Sequence, residues 1–219
     1  LTFIGHGLGA GDKMAWATTA SCKIGLIPFT DSGSNVATEQ TFASSHIAAT
    51  YLFASAQAGK IGSVCYKFGS EPYQLHSYVT TKIVELSEVT AVQGAASVAV
   101  AESPKALQFK GKNLAEDDRI RWITSGTDCN ANIATLVGGG GDGANNMKLD
   151  DSLQAKFSFT TAVAGKIVTL CHGAGQDPFR HYATADMKVA MLTLFNATSG
   201  SSDTALAGVS KTFIIEGFG

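Results

Sequence analysis

Apolar and polar residues alternate over short stretches of the chain, with glycine, asparagine and aspartate between them. This period of two predicts β-strands that bury one face, and no stretch shows the 3.6-residue period of an amphipathic helix. In the second half of the chain the pattern predicts strands at five segments: 107–111, 118–122, 157–159, 167–171 and 187–194. The alternation therefore predicts an all-β chain.

The same pattern occurs twice with a shift of 106 residues, and then begins again. The segment 1–5 returns at 107–111 and once more at 213–217. Other positions keep the shift: Asp12 with Asp118, Trp16 with Trp122, Ala58–Ile61 with Ala164–Ile167, Cys65 with Cys171, and Lys82 with Lys188.

This regular shift predicts a tandem array, with repeat one at 1–105, repeat two at 106–210 and the first strand of a third repeat at 211–219. Because a lone strand cannot bury its apolar face, we expect the sequence to be a fragment of a longer protein. About 100 residues with short strands and frequent turns predict an antiparallel immunoglobulin-like β-sandwich for each repeat. The segments 87–105 and 196–211 are compatible with either linkers or additional strands.

Each repeat contains two cysteines, Cys22 and Cys65 in the first, Cys129 and Cys171 in the second. An even count with repeated placement predicts one disulfide per repeat, each closing a loop of about 43 residues and contributing roughly 4 kcal/mol. Such bonds persist in oxidising compartments, so we expect a secreted or surface-exposed protein. The alternative is a cytosolic protein with two buried thiols per repeat. The sequon at Asn196 is a candidate site for a glycan.

The chain carries 16 basic and 18 acidic side chains, a net charge of −2, and no cluster of lysine and arginine. Since nucleic acids and anionic membranes attract basic surfaces, we expect no nucleic-acid partner. No apolar stretch approaches the roughly 18 residues of a membrane-spanning helix, so we expect no membrane insertion by this segment.

No motif predicts a cofactor, a metal or a catalytic site. The glycine-rich segment 5–11 superficially matches a dinucleotide fingerprint, but a strand rather than a helix follows it. The five histidines show no metal-ligand spacing. The loop 136–150, with four consecutive glycines and the pair Asp150 and Asp151, meets neither the EF-hand spacing nor the glycine–aspartate nonapeptide pattern of calcium sites, although a calcium role stays open. We therefore expect a protein that is not an enzyme.

One polar and aromatic motif is kept in both repeats, at Glu71–Tyr73 and Asp177–Phe179. The candidate contact residues within it are Pro72, Tyr73, Pro178 and Phe179, because exposed aromatic side chains are favoured anchors for a neighbouring domain or a ligand. The alternative is a hairpin turn, in which the proline restricts φ and the aromatic ring covers the end of the sandwich.

The fullest copy of the second-cysteine motif is Cys65–Tyr73, Cys-Tyr-Lys-Phe-Gly-Ser-Glu-Pro-Tyr. It resembles the immunoglobulin-like, TIG-like tandem repeats of large extracellular proteins of algae and other protists, among them the mastigoneme-like filament proteins of flagella. The resemblance implies an extracellular, glycosylated, non-enzymatic structural repeat. The second repeat departs from the motif at 172–175, which argues against a shared binding role for Tyr66, Lys67 and Phe68.

Two functions follow as expectations. The first is a filament or surface appendage built by repeats packing end to end, with other copies of the protein as partners. The second is a cell-adhesion module that binds glycan or another surface protein through the loops 30–45 and 136–150. Both loops are nearly free of aromatic residues, which favours the structural role. A sandwich domain of a virion or a secreted toxin stays open as a third alternative.

Overall fold

The computed structural model describes residues 2–3, 8–30, 36–42, 47–48, 51–137, 146–207 and 209–218. Within these residues the chain is all-β, and its only helices are two 3-10 turns, Ser55–Gln57 and Thr161–Val163. The predicted fold class is confirmed. The chain divides into unit 1, formed by Leu1–Glu85 and Gly111–Asn113, and unit 2, formed by Leu86–Lys110 and Leu114–Gly219. Each unit is a β-sandwich with one disulfide.

Unit 1 contains eight strands in its described part: β1 (Thr2–Phe3), β2 (Lys13–Ala17), β3 (Phe29–Thr30), β4 (Val36–Ala37), β5 (Gln40–Thr41), β6 (Ile47–Ala48), β7 (Ile61–Lys67) and β8 (Gln74–Lys82). The main sheet has the order β5-β2-β7-β8, and β1-β6 and β3-β4 form two small antiparallel sheets.

Strand β2 is buried on both faces, and the two faces serve different clusters. Met14 and Trp16 join the main core of unit 1, while Ala15 and Ala17 join a second, smaller cluster around Cys65. Because successive side chains of a strand point to opposite faces, the alternation of large and small residues fits these two environments.

Unit 2 contains nine strands in its described part: β9 (Glu85–Ala91), β10 (Val98–Val100), β11 (Lys105–Lys112), β12 (Arg119–Ile123), β13 (Met147–Lys148), β14 (Gln154–Phe157), β15 (Ile167–Gly173), β16 (Arg180–Ala197) and β17 (Phe213–Phe218). One sheet has the order β14-β11-β9 and the other β10-β16-β15-β12-β13. The sequence predicted an antiparallel sandwich. Strand β10 instead pairs with β16 in parallel, so the sheet of unit 2 that contains them is mixed.

The core of unit 2 lies between these two sheets. Leu107 and Phe109 of β11 are fully buried against Ile120 and Trp122 of β12, which belong to the other sheet. The predicted common face of Ile120 and Trp122 is therefore the core face, and the arginines between them lie on the opposite face.

The main division between the compact units follows residue 85, while the predicted boundary between the two sequence repeats follows residue 105. The segment 87–105, for which linkers and strands were both open, holds most of β9, all of β10 and the first residue of β11. In the segment 196–211, β16 ends at Ala197 and the remaining described residues form no strand. The segment 211–219, predicted to begin a third repeat, contributes β17, which pairs with β16 of unit 2.

Candidate functional site

Both predicted disulfides are formed, Cys22 with Cys65 (the first disulfide) and Cys129 with Cys171 (the second). Each joins the loop after β2 or β12 to the neighbouring strand, β7 or β15. Both bonds lie in small clusters separate from the main cores. They therefore brace the outer face of one sheet in each unit.

The rings of the two proline–aromatic turns cover these disulfides. Tyr73 packs in the cluster of the first disulfide and Phe179 in that of the second. Both rings are partly buried, whereas Pro72 and Pro178 are exposed. The structure thus places the aromatic side chains under the turns and leaves the prolines on the surface.

In unit 2 the ring of Phe179 contacts two guanidinium groups. The Cζ atoms of Arg119 and Arg121 lie 4.8 and 4.2 Å from its centroid. Arg119 also donates from Nε to Gly175 O (2.6 Å) and from Nη2 to Asp177 O (2.7 Å). Burial lowers the pKa of Arg121, and the charge of Arg119 lowers it further. These cations are engaged by the fold itself, which leaves few donors for an external anion.

Replacing Phe179 with leucine is expected to lower the free energy of unfolding of unit 2 by about 1 kcal/mol, since each partly exposed cation–π contact contributes about 0.5–1 kcal/mol. Urea denaturation followed by Trp122 fluorescence in a Trp16→Phe background measures the change. The matched control is Tyr73→Leu, because in the described part of the chain a single ammonium, that of Lys67, lies over the Tyr73 ring, 6.0 Å from its centroid. Equal losses in the two units would contradict a role for the arginines.

Unit 1 has a cavity of about 380 Å³ beside the first disulfide. The residues that line it include Lys23, Lys67, Glu71 and Tyr73. Burial raises the pKa of the Tyr73 phenol, and the nearby Glu39 carboxylate raises it further, so the hydroxyl remains a donor at neutral pH. Unit 2 has a glycine and a phenylalanine at the positions of Lys67 and Tyr73. The ammonium group of Lys67 and the phenol of Tyr73 are therefore particular to unit 1, while the acidic Glu71 has the counterpart Asp177.

A buried aspartate connects two loops in unit 1. Asp12 is 5% exposed and accepts hydrogen bonds from Gly9 N (2.8 Å), Gly69 N (2.8 Å) and the Tyr66 hydroxyl (2.9 Å). The two amides lower the pKa of the Asp12 carboxyl, the Gly9 amide most, against the opposing effect of burial. The carboxylate thus holds the loop before β2 to the loop after β7.

Unit 2 repeats this arrangement with one change. Asp118 is 2% exposed and accepts hydrogen bonds from Ala115 N (3.3 Å) and Gly175 N (3.1 Å). Its third neighbour is His172 Nε2 at 3.3 Å, where unit 1 has Tyr66. The sequence shift aligned the two aspartates without revealing this role. The available signal was the acidic residue that the 106-residue shift keeps at positions 12 and 118.

His172 gives unit 2 a pH dependence at a position where unit 1 has Tyr66. Burial lowers the pKa of His172 below 6.5, although the charge and hydrogen bond of Asp118 act in the opposite direction. The unfolded chain therefore binds a proton at His172 more readily than the folded chain does. The free energy of unfolding of unit 2 is expected to decrease as the pH falls below about 6.5.

The thermal midpoint of unit 2, followed by Trp122 fluorescence in a Trp16→Phe background, is expected to be lower at pH 5.5 than at pH 7. His172→Tyr, which copies the residue of unit 1, is expected to remove this decrease. The reciprocal variant Tyr66→His is expected to introduce it into unit 1, read by Trp16. A decrease of equal size with and without His172 would show that other groups cause it.

The other predicted positions lie apart from this region. Asn196, the candidate glycosylation site, is exposed on β16. The glycines 138–141 of the open calcium alternative lie outside the described residues, and Asp150 accepts hydrogen bonds from Ser152 N and Gln154 N. In the described part of the chain, no group of three His, Cys, Asp or Glu side chains could hold a metal ion.

Comparisons with known proteins give little guidance. No family model matches the chain, and no curated protein matches it. The extracellular domains 3–5 of OTK from Drosophila align with 90% of this chain at 8% identity and a TM-score of 0.27. The chain spans 60% of the length of that solved chain. A likeness at this TM-score supports no conclusion about fold or function.

Proposed function

We propose that this chain is a non-enzymatic structural segment of an extracellular repeat protein, whose sandwich repeats pack end to end and laterally into a stiff filament or surface appendage. One observation carries the proposal: both units keep the same buried bracing groups, while other side chains change, such as Lys67 and Tyr73 of unit 1, which are replaced by Gly173 and Phe179 in unit 2. The retained groups are a disulfide, an aspartate bonded to two loops, and a core tryptophan. Repeats that keep their scaffold in this way suit a linear array in which each unit contacts its neighbours.

The proposed location is outside the cell or on its surface. All four cysteines are paired, and disulfides persist in oxidising compartments. The glycan proposed at Asn196 would belong to the same compartment. The Asn196 side chain is exposed, so it is accessible for this modification. Other copies of the protein are the proposed partners, and no cofactor or nucleic acid is part of the proposal. Within the described residues, no helix has the length and apolar character needed to cross a bilayer.

Material from the native source provides the test. Its intact mass is measured with and without reduction and deglycosylation, and its shape by negative-stain electron microscopy. The proposal expects two disulfides per 219 residues of this sequence, sugar at Asn196 and rods of regular width. Free thiols together with single globular particles would contradict it.

A second candidate function, adhesion to a glycan or a partner protein, is favoured by the cavity of unit 1. Its two ammonium groups and its phenol suit an acidic saccharide. Binding of the 219-residue chain to acidic and neutral oligosaccharide arrays tests this function, with Lys67→Gly and Tyr73→Phe copying the residues of unit 2. Binding that both variants leave unchanged would exclude the cavity as the site.

A further inference from the structure

The last part of the chain forms a hairpin that repeats an earlier part of the fold. The second half of β16 pairs antiparallel with β17 over the range Met191–Phe218, here called the terminal hairpin. A hydrogen bond from Thr198 N to Thr212 O (3.0 Å) lies at its inner end. The equivalent hydrogen bond 106 residues earlier runs from Val92 N to Ala106 O (3.1 Å) and lies at the corresponding end of the paired strands β9 and β11. The terminal hairpin is therefore the counterpart of the β9–β11 pair of unit 2.

The terminal hairpin exposes apolar side chains on both faces. Leu194, Ile214 and Phe218 lie on one face, where β9 and β11 have Glu88, Gln108 and Lys112. The other face, here called the apolar face, has apolar counterparts in unit 2. The alternation of side chains along the paired strands places four residues on this face: Leu192, Phe195, Phe213 and Ile215. Three of them are 57%, 48% and 66% exposed, namely Leu192, Phe195 and Ile215. The rings of Phe195 and Phe213 stack with centroids 4.8 Å apart. These side chains stabilise the hairpin internally but leave most of its apolar surface in water.

The counterparts of these four residues all belong to the core of unit 2: Leu86, Val89, Leu107 and Phe109. Leu107 and Phe109 are fully buried. Strand β14 pairs with β11 along its edge, and the sheet containing β12 covers its face. Within the described residues, the terminal hairpin has neither an edge strand on β17 nor a facing sheet.

A contact between a glycine turn and the end of a strand also occurs in both units. Gly59 lies against the side chain of Lys112 at the end of β11, where an added Cβ would be 3.1 Å from Lys112 Cδ. Gly165 lies against Phe218 at the end of β17, where an added Cβ would be 3.4 Å from Phe218 Cβ. Both glycines have a positive φ, +87° and +78°. A glycine turn thus lies against the last residue of a strand in each unit, Lys112 of β11 in unit 1 and Phe218 of β17 in unit 2.

We propose that the apolar face of the terminal hairpin is the docking surface for a further repeat of this type, whose counterparts of β12 to β16 complete a third sandwich on it. The occupant is inferred from unit 2, where strands of the same repeat cover the equivalent face. This inference deepens the proposed array function and rests on it. It also implies that each structural repeat begins with the counterpart of β9 rather than β11.

Peptide mapping of native material tests the identity of the occupant. Peptides that continue past Gly219 are expected to place aspartate, tryptophan and cysteine near the positions 106 residues beyond Asp118, Trp122 and Cys129. A native chain that ends at or close to Gly219 would overturn the proposal.

Hydrogen exchange tests whether the face is covered. The amides of Phe213–Phe218 are expected to exchange about 100-fold more slowly in native material than in the isolated 219-residue chain, approaching the protection of Lys105–Lys112. Equal exchange in both materials would overturn the proposal. Rods with an unprotected hairpin would contradict this inference alone, whereas a protected hairpin without rods would contradict only the filament.

Two matched variants of the 219-residue chain complete the test. Ile215→Asp is expected to leave the thermal midpoint of unit 2 unchanged, while Phe109→Asp, at the counterpart position, abolishes its cooperative unfolding. A similar loss for both would show that the face is already packed. Sedimentation as a dimer that Ile215→Asp dissociates would make a second copy the occupant and overturn the proposal.

Discussion

Replacing Cys129 and Cys171 together with alanine is expected to lower the free energy of unfolding of unit 2 by about 4 kcal/mol. The two residues are separated by 42 positions, and the bond restricts the unfolded chain by closing that loop. A loss of this size is a large part of the 5–15 kcal/mol that stabilises a typical domain. Urea denaturation with Trp122 fluorescence in a Trp16→Phe background measures it.

The other disulfide provides the matched comparison. Cys22 and Cys65 are separated by 43 positions, so removing both should cost unit 1 nearly the same free energy. Trp16 fluorescence in a Trp122→Phe background reads that transition. A loss below about 1 kcal/mol in either unit would mean that other contacts keep the loop closed in the unfolded chain, against the entropic explanation.

The disulfides and the core tryptophans could be predicted because their signals are carried by the residues themselves. Two cysteines per repeat leave one pairing within each repeat, and the structure forms both bonds. Trp122 falls in phase with Ile120, so a period of two places both on the core face. Neither prediction needs knowledge of distant contacts.

The bracing groups could not be predicted, because they depend on residues far apart in the chain. Asp118 lies 57 positions from Gly175, from whose amide it accepts a hydrogen bond. From the sequence alone, an aspartate just before a strand is equally well explained as part of a solvated turn. The contacts of Arg121 and Arg119 with the ring of Phe179 likewise join one strand, β12, to a loop that is distant in the sequence. Sequence alternation indicates only that these arginines face away from the core.

The compact unit 2 begins earlier than the repeat that the sequence predicts, for a related reason. Strands β9 and β10 precede the clear alternation at Leu107. In the stretch from β9 to the start of β11, the buried apolar side chains are those of Leu86, Ala99 and Ala101. Parallel pairing of β10 with β16 is a long-range contact that leaves no local pattern. The apolar pattern therefore marks β11, the central strand of its sheet, as the apparent beginning.

Trp122→Ala is expected to lower the free energy of unfolding of unit 2 by about 4 kcal/mol, within the range for large-to-small changes at buried aromatic positions. The side chain is 1% exposed. Its ring centroid lies 5.5 Å from that of Phe157 and 5.9 Å from that of Phe159, so it joins the two sheets across the core. Because the variant removes the fluorescent probe, far-UV circular dichroism during urea denaturation measures the loss.

Trp122→Phe separates the two contributions of the indole. In the part of the chain that the structure describes, its buried N–H donates no hydrogen bond, so phenylalanine sacrifices no polar contact. The cost should then be about 1–2 kcal/mol, from lost volume alone. The counterpart Trp16 also has a buried N–H without an acceptor there, and Trp16→Phe should behave alike in unit 1. Equal losses for Trp122→Phe and Trp122→Ala would contradict this account, since apolar volume could not then be what the tryptophan contributes.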